Sequence, residues 1–311
     1  MFSISRVSSI ADLPSPVAIC CHDAGGANLV AAWVAAAASQ DFRICVDGPA
    51  RTIFSNAVPR RVTEPLSAVL DGAQCLLSSS GWSSALEHQA RVEAKRRGMP
   101  VLAVLDHWVN YRMRFIRDEV ESLPDVLIVT DREAAAMAAA TFGAACRIVM
   151  WDNRYLQSEV AKVLSYPQPV IGARAARLLI VLEPVRQDWS EGATEEAEFR
   201  ALDFLLNNLA AIFADPDEVE VRLRPHPSES PAKYLPWLRR QERPRLELSE
   251  AQSLAEDIAW SDVAAGLQSY ALVVALESGR RAVSYLLPGA PPCSVRHAGL
   301  ERLTDLIGMA S

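Results

Sequence analysis

The stretch "VLAVLDHWVNYRMRF", residues 101–115, decides the fold prediction because two unlike patterns meet in it. Val101 to Leu105 are five apolar residues, the pattern of a buried strand, whereas the residues that follow carry acid, imidazole, amide, phenol and guanidinium groups. An ordinary strand gives way to a turn rich in Gly, Asn, Ser or Pro. Ligands of open α/β sheets bind beyond the carboxyl ends of the strands, so the stretch predicts a parallel sheet with a functional site at its edge.

The rest of the chain alternates short apolar runs with longer helical patterns, which is typical of a parallel sheet covered by helices. Its 311 residues are the length of two domains at about 100–200 residues each. We predict an N-terminal domain over 1–165, a hinge over 166–177, and a C-terminal domain over 178–311 that ends in a helix at about 300–307. The predicted fold class is α/β, with two Rossmann-like domains facing each other across a cleft.

The bulk composition excludes several classes of protein. A net charge of -7 and a pI of about 5.4 disfavour non-specific nucleic-acid binding, which needs a broad basic surface. No apolar run reaches about 18 residues, and the first residues lack the apolar core of a signal peptide. We therefore expect a cytoplasmic protein without a transmembrane segment, for which peripheral membrane association stays open. The six cysteines form no C-x-x-C pair and are expected to be buried thiols.

Two predicted strands in the first half end in polar loops. The loop after 17–21 brings an imidazole, an acid and two glycines ahead of a helix predicted at about 27–39, and the loop after 74–77 is rich in serine. Glycine allows a backbone to approach a ligand closely, and helix starts favour anions, although a tight turn or a helix-capping loop would use the same residues. The candidate site residues here are His22, Asp23, Gly25, Gly26, Ser79 and Ser80.

The opening stretch supplies the third loop of this half. If residues 106–117 are helical, Asp106, Asn110 and Arg114 fall on one side of the helix by their i, i+4 spacing. Together with His107 they would line the cleft. Tyr111 would stack on a sugar or a base, or else belong to the core.

Basic residues follow a strand in the second half. Arg224 and His226 lie in "RLRPHPSES", where prolines on both sides of the histidine keep its backbone extended. We interpret a rigid histidine beside arginines as a phosphate-binding element. A later strand ends at Gly266, and Gln268 and Ser269 follow at the start of a helix, where Ser269 caps the helix, binds a phosphate, or does both.

These second-half motifs resemble a family. "RPHP" at 224–227 and "SD…GLQSYALVVALESGRRAVSYL" at 261–286 resemble GT-B-type glycosyltransferases, and in particular the bacterial capsule, polysialic-acid and teichoic-acid transferases with a His-Pro motif and a later Ser motif. The resemblance implies that His226 and Ser269 hold the phosphates of a nucleotide donor. The sequence departs from the family at Val274, where a ribose-binding glutamate is expected, and Glu277 is the candidate substitute.

The sequence therefore predicts a metal-independent glycosyltransferase. It would move a sugar from a nucleotide-sugar bound by the C-terminal domain to a glycan or small-molecule acceptor on the N-terminal side, in surface polysaccharide biosynthesis and with no cofactor. Asp106 is the first candidate for the catalytic base, His22 or Asp23 the second, and Glu87 the third. Two alternatives stay open, namely a nucleotide-sugar 2-epimerase or hydrolase on the same fold, and a non-catalytic nucleotide-sugar-binding protein.

Overall fold

A computed structural model describes residues 7–37, 39–59, 62–168, 175–184, 197–241 and 244–308. The chain forms two compact units, Met1–Gln157 and Ser158–Ser311, and each is described here by itself. The division falls before the predicted hinge at 166–177, of which residues 169–174 lie outside the described ranges.

The first unit is built on a six-stranded parallel sheet with the strand order β2-β1-β3-β4-β7-β8. Every residue of β1 is buried, as expected for a parallel strand that is covered on both faces. A two-stranded antiparallel hairpin lies beside this sheet. The sheet strands are β1 (Val17–Cys21), β2 (Phe42–Val46), β3 (Cys75–Ser78), β4 (Val101–Val104), β7 (Val126–Val129) and β8 (Arg147–Met150), and the hairpin strands are β5 (Ile116–Arg117) and β6 (Val120–Glu121).

Helices connect these strands and cover the sheet. Asp131 shows why one of them starts where it does, because its carboxylate accepts a hydrogen bond from the Ala134 N–H at 2.6 Å, and Gly143 ends the same helix with φ +52°. These helices are α1 (Ala24–Ala36), α2 (Pro49–Ala57), α3 (Leu66–Leu70), α4 (Leu86–Arg96) and α5 (Arg132–Phe142), and α6 (Arg154–Leu164) follows β8 across the division between the units.

The second unit is a six-stranded parallel sheet with the order β11-β10-β9-β12-β13-β14. Numbered from its own first strand, this is the 3-2-1-4-5-6 order of a doubly wound Rossmann sheet. Its strands are β9 (Arg177–Val181), β10 (Glu220–Arg224), β11 (Arg245–Leu248), β12 (Val263–Gly266), β13 (Arg281–Ser284) and β14 (Leu300–Arg302). Its helices are α7 (Ala197–Asn207), α8 (Leu235–Leu238), α9 (Leu254–Trp260), α10 (Ala271–Glu277) and α11 (Leu303–Leu306).

The fold class is confirmed as two parallel-sheet Rossmann-like domains, and two predicted elements are wrong. The segment 106–117 is not a helix: after a series of turns, the chain makes a short 3-10 turn at Met113–Phe115 and enters the β5–β6 hairpin. The predicted helix at 300–307 begins with the edge strand β14 and becomes helical only at Leu303. All six cysteines are free and buried, as predicted.

The strand order locates the ligand-binding edge of each unit. The order reverses beside the first strand of each sheet, between β1 and β3 in the first unit and between β9 and β12 in the second. Open α/β sheets bind ligands at this point, beyond the carboxyl ends of the strands. Residues that follow β1, β3 and β4, and those that follow β9, β10 and β12, are therefore the ones to consider.

Candidate functional site

The loop after β1 presents a histidine that is oriented by an acid. Nδ1 of His22 lies 2.8 Å from Oδ1 of Asp23. Burial raises the pKa of Asp23, but hydrogen bonds from His22, Ser83 and Trp82 outweigh it, so the net pKa of Asp23 is lowered. An ionised carboxylate only accepts, so Nδ1 carries the proton and donates it, which leaves a lone pair on Nε2.

The second carboxylate oxygen of Asp23 binds the loop after β3. It accepts hydrogen bonds from the backbone N–H groups of Trp82 (3.0 Å) and Ser83 (3.2 Å) and from the Ser83 hydroxyl (3.1 Å). A Cβ at Gly81 would lie 2.6 Å from Cγ of Asp23, so the loop needs a glycine there. The histidine, the acid and the loop are therefore fixed relative to one another.

Gly25 and Gly26 have a different role from the predicted one. They lie in the first turn of α1, which starts at Ala24 and so three residues earlier than predicted. A Cβ on Gly25 would come 1.8 Å from Oδ2 of Asp106, and one on Gly26 would come 2.4 Å from Cβ of Ser79. The protein's own side chains occupy the space that we assigned to a ligand.

Asp106 and Arg114 form a buried ion pair with an N–O distance of 2.7 Å. Arg114 also donates to the carbonyl oxygens of Val109 (3.0 Å) and Ser80 (3.4 Å). The two side chains are close together, as predicted. Their proximity is produced by the series of turns that follows β4, and not by a helix. Within the described part of the chain, Oδ2 of Asp106 accepts no hydrogen bond. Asn110 is exposed with φ +58° and is not brought to this pair.

Of the two aromatic candidates, Tyr111 belongs to the interior and His107 is half-buried. Tyr111 is 5% exposed and stacks on Phe142 with a centroid separation of 6.5 Å, so the core interpretation holds. His107 accepts a hydrogen bond from the Trp108 N–H through Nδ1 at 3.0 Å, and burial lowers the pKa of His107.

Beneath these loops, α4 contributes two buried charged residues. Oε1 of Glu87 accepts hydrogen bonds from the His22 N–H and the Ser79 hydroxyl, both at 2.8 Å. Among the described residues, Oε2 of Glu87 and Oγ of Ser80 have no hydrogen-bond partner. Arg91 donates to three backbone carbonyl oxygens, and burial lowers its pKa to about 10. The carbonyls belong to Ser79, Arg114 and Ser122.

The sequence held a signal for Arg91 that we did not use. Glu87, Ala90, Arg91 and Ala94 lie at i, i+3, i+4 and i+7, the positions of the buried stripe of a helix, and all four are buried. Charged residues within such a stripe indicate an internal polar network.

We call the residues His22, Asp23, Ser79, Ser80, Asp106 and Arg114 the N-terminal cluster. They meet at the carboxyl edge of the first sheet.

In the second unit, His226 follows β10 and is exposed. Its Nδ1 lies 2.7 Å from the Ser228 hydroxyl and accepts a hydrogen bond from the Ser228 N–H at 3.2 Å. Because Nδ1 accepts, Nε2 carries the proton and faces outward as a donor. This arrangement suits an anionic ligand.

Arg224 is not free for a phosphate as the sequence suggested. Its guanidinium donates to Oδ2 of Asp257 at 2.6 Å, and Arg222 donates to the other oxygen at 3.3 Å. Asp257 is fully buried and also accepts from the Ser249 hydroxyl at 2.6 Å. The two arginines therefore neutralise an internal acid.

The loop after β12 already binds a carboxylate. Oε1 of Glu183 accepts hydrogen bonds from the N–H groups of Leu267 (2.8 Å) and Gln268 (2.9 Å). Burial raises the pKa of Glu183 to about 7, although backbone hydrogen bonds from the loop lower it. The hydroxyl of Ser269 accepts from the Ala271 N–H at 3.2 Å, so this serine does hold the start of α10. Gly266 ends β12, where a Cβ would make an ordinary 3.4 Å contact with Leu272.

Glu277 is not brought to this loop. It is the last residue of α10, about 9 Å along the helix axis from the end that carries Ser269, and it pairs with Nε2 of His297 at 3.0 Å. Val274 is 2% exposed in the core, so it cannot contact a ribose. We call Glu183, Arg224, His226 and residues 266–269 the C-terminal cluster.

Within the described ranges, no group of three or more His, Cys, Asp or Glu side chains could hold a metal ion. The Asp-x-Asp sequence Asp215-Pro216-Asp217 lies in the turn ahead of β10, at the amino edge of the sheet and away from the C-terminal cluster. No described helix is both long and apolar enough to cross a membrane.

Each of these two Rossmann-like sheets carries polar residues at its carboxyl edge, and solved structures share this two-domain fold. The chain is similar to the UDP-GlcNAc 2-epimerase of Methanocaldococcus jannaschii (TM-score 0.61, 10% identity, 94% of this chain and 92% of that one). It is also similar to UDP-GlcNAc 2-epimerase from Neisseria meningitidis bound to UDP-GlcNAc (TM-score 0.57, 12% identity, 86% and 82%). A third solved structure is the glycotransferase of kitacinnamycin (TM-score 0.50, 12% identity, 92% and 85%). No protein-family model and no curated protein matches the sequence.

Proposed function

We propose that the protein is a metal-independent glycosyltransferase that uses a nucleotide-sugar, with His22 as the catalytic base. The observation that supports this most directly is the His22–Asp23 pair, in which Asp23 holds Nδ1–H and leaves Nε2 able to accept a proton. An acid-oriented imidazole of this kind removes the proton from an attacking hydroxyl in many transferases and hydrolases. The second unit binds the nucleotide, and the first unit supplies the base.

His22 is a better base than Asp106, our first candidate from the sequence. Protonation of Asp106 would leave Arg114, which is 8% exposed, without its partner in the interior. His22 has no such cost, because Asp23 stabilises the imidazolium that forms when Nε2 takes up a proton. We assign Asp106 the task of fixing the start of α1 against the loop that carries Arg114.

The reaction then follows from these groups. Nε2 of His22 takes the proton of the acceptor hydroxyl, and the oxygen attacks the anomeric carbon of the donor sugar. The bond from that carbon to the phosphate oxygen breaks, and the nucleotide leaves with the electron pair. Nε2–H of His226 donates to the phosphate, which spreads the developing charge without a divalent ion. The His-Pro resemblance suggests a surface-polysaccharide glycan as the acceptor.

The first experiment identifies the donor and separates the two histidines. A thermal-shift screen of UDP, CDP, CMP and GDP should reveal one nucleotide that stabilises the protein by about 2–4 kcal/mol when it is well above its Kd. His226→Ala should then lose nucleotide affinity, as measured by calorimetry. His22→Gln should keep that affinity and lose turnover by about 10²–10⁴-fold.

Glu277→Gln is the matched control, since Glu277 lies at the far end of α10 and should change neither quantity. Full turnover by His22→Gln, or unchanged nucleotide affinity in His226→Ala, would contradict the assignment.

A nucleotide-sugar 2-epimerase or hydrolase is the second candidate. Solved proteins described as UDP-GlcNAc 2-epimerases share the fold over up to 94% of this chain, which supports the candidate at the level of the fold. Incubation of the nucleotide-sugar without an acceptor in deuterated water distinguishes the activities. Epimerisation at C2 would place deuterium there and hydrolysis would release free sugar, whereas a strict transferase would leave the donor intact. Binding without any of these reactions would indicate a non-catalytic binding protein.

A further inference from the structure

Glu183 lies where the second sheet would bind a ligand. It follows β9 by two residues, and its carboxylate accepts hydrogen bonds from consecutive N–H groups, those of Leu267 and Gln268 after β12. The strand order reverses between β9 and β12. Consecutive backbone N–H groups form concavities that bind anions such as phosphate. In this protein one of its own side chains occupies the concavity.

Within the described ranges, no cation pairs with the carboxylate of Glu183. At the end of β10, Arg224 is paired with Asp257, and His226, which follows the strand, is hydrogen-bonded to Ser228. After β13 comes Tyr285, whose pKa is raised by burial and then by the charge of Glu183. Among the described residues, no lysine or arginine side chain contacts Glu183. Residues 185–196 lie outside the described ranges.

We propose that Glu183 is an internal competitor for the anion position of this loop, so that a phosphate group binds to the N–H groups of Leu267 and Gln268 only when Glu183 takes up one proton. The ionised carboxylate and a phosphate cannot share two N–H donors, because both are anionic and both need the same hydrogens. While Glu183 is ionised, the loop can bind only uncharged ligand groups, such as hydroxyl or carbonyl groups. These would bind through Gln268 and Ser269, which are partly exposed.

The proton balance of this step is simple. One proton from solvent binds to the Glu183 carboxylate, which becomes a neutral acid, and one anion replaces it on the loop. Burial already brings the pKa of Glu183 to about 7, so the exchange occurs near neutral pH. Applied to the nucleotide-sugar, the inference rests on the proposed function. In that case the protonation of Glu183 decides whether the loop binds an anionic or an uncharged group of the donor.

Inorganic sulfate is a suitable probe because its charge stays constant between pH 6 and 8.5. We would follow the backbone amide signals of Leu267 and Gln268 by NMR during sulfate titrations of the wild type, Glu183→Gln and the control Glu277→Gln. In the wild type and the control, the sulfate Kd should rise by about tenfold or more between pH 6 and 8.5. In Glu183→Gln the sulfate Kd should rise much less over this range, and at pH 8.5 this variant should bind sulfate about tenfold more tightly than the wild type.

A second measurement needs no variant. Sulfate should raise the midpoint of the Glu183 carboxyl titration in the wild-type protein, followed by the ¹³C signal of labelled glutamate. An unchanged midpoint would refute the coupling, as would an equal pH dependence of the sulfate Kd in the wild type and in Glu183→Gln.

The sulfate titrations test the role of Glu183 and the turnover assays test the proposed function, so either hypothesis can be refuted while the other is supported. Proton-coupled sulfate binding in a protein that consumes no nucleotide-sugar would support this inference and refute the proposed function. Amides that do not respond to sulfate in an active transferase would do the reverse.

Discussion

The two units place a carboxylate at equivalent points and give it opposite properties. Asp23 follows β1 and accepts from two N–H groups of the loop after β3, as Glu183 follows β9 and accepts from two N–H groups of the loop after β12. The pKa of Asp23 is lowered, whereas the pKa of Glu183 is raised to about 7. His22 accounts for part of the difference, since it donates to Asp23 and no cation is described beside Glu183.

The comparison shows that backbone N–H groups fix the position of the carboxylate in each unit, whereas the neighbouring side chains determine whether that carboxylate is ionised. In the first unit, the acids of the N-terminal cluster have cationic or imidazole partners, as in the Asp106–Arg114 pair. In the second unit, Arg222 and Arg224 both pair with Asp257, and among the described residues Glu183 accepts hydrogen bonds only from backbone N–H groups. The first arrangement holds a fixed charge next to a base, and the second holds a charge that can change near neutral pH.

The largest expected effect is on stability, and it tests whether the stability of the first unit depends more on a single ion pair than that of the second unit does. Arg114→Met should destabilise the first unit by about 3–5 kcal/mol, because Asp106 would keep a buried charge without a partner. Arg224→Met should destabilise the second unit by only about 1–2 kcal/mol, because Asp257 keeps Arg222 and Ser249. Hydrogen exchange of core amides measures each unit separately. Equal losses in the two variants would remove this difference between the units.

The second prediction compares the pH dependence of the two carboxylates. Because the pKa of Glu183 is raised in the folded state, its ionisation should lower the stability of the second unit as pH rises from about 4.5 to about 7. The loss is at most about 3.5 kcal/mol, from about 1.4 kcal/mol per pKa unit. Asp23, whose pKa is lowered, should stabilise the first unit at neutral pH and lose that contribution below about pH 4.

Glu183→Gln should flatten the neutral part of the profile of the second unit, and Asp23→Asn should remove the acid part of the profile of the first. Denaturant unfolding from pH 2 to 8, read through hydrogen exchange in each unit, measures both. The same profile in the wild type and Glu183→Gln would show that Glu183 does not titrate near neutral pH.

The smallest effect concerns the glycines at the two edges. Gly26→Ala should cost about 1–3 kcal/mol, because its Cβ would come 2.4 Å from Cβ of Ser79 and the helix or the loop must shift. Gly266→Ala should cost less than about 1 kcal/mol, because the added methyl group would make a normal contact with Leu272. Thermal unfolding of both variants would measure this, and a greater loss in Gly266→Ala would contradict the close packing of the first edge.

Much of the fold and part of each cluster could be predicted from sequence. Runs such as 17–21 and 101–105 are apolar because parallel strands are buried on both faces, and the polar loops after them follow from the chemistry of strand ends. The irregular structure of residues 106–117 could not be predicted, since a regular i, i+4 spacing also arises by chance in a segment that is not a helix. The pairing of Arg224 with Asp257 joins residues far apart in the sequence. The contacts of Glu183 involve backbone N–H groups, which leave no trace in residue identity.

The buried guanidinium of Arg91 has a consequence for how the first unit can be altered. It joins backbone carbonyls at Ser79, Arg114 and Ser122, and these belong to three separate loops. A graft or an insertion that displaced one of these loops would leave a charged group inside the protein with too few acceptors. Engineering of acceptor recognition in this unit must therefore exchange the three loops together or leave all three in place.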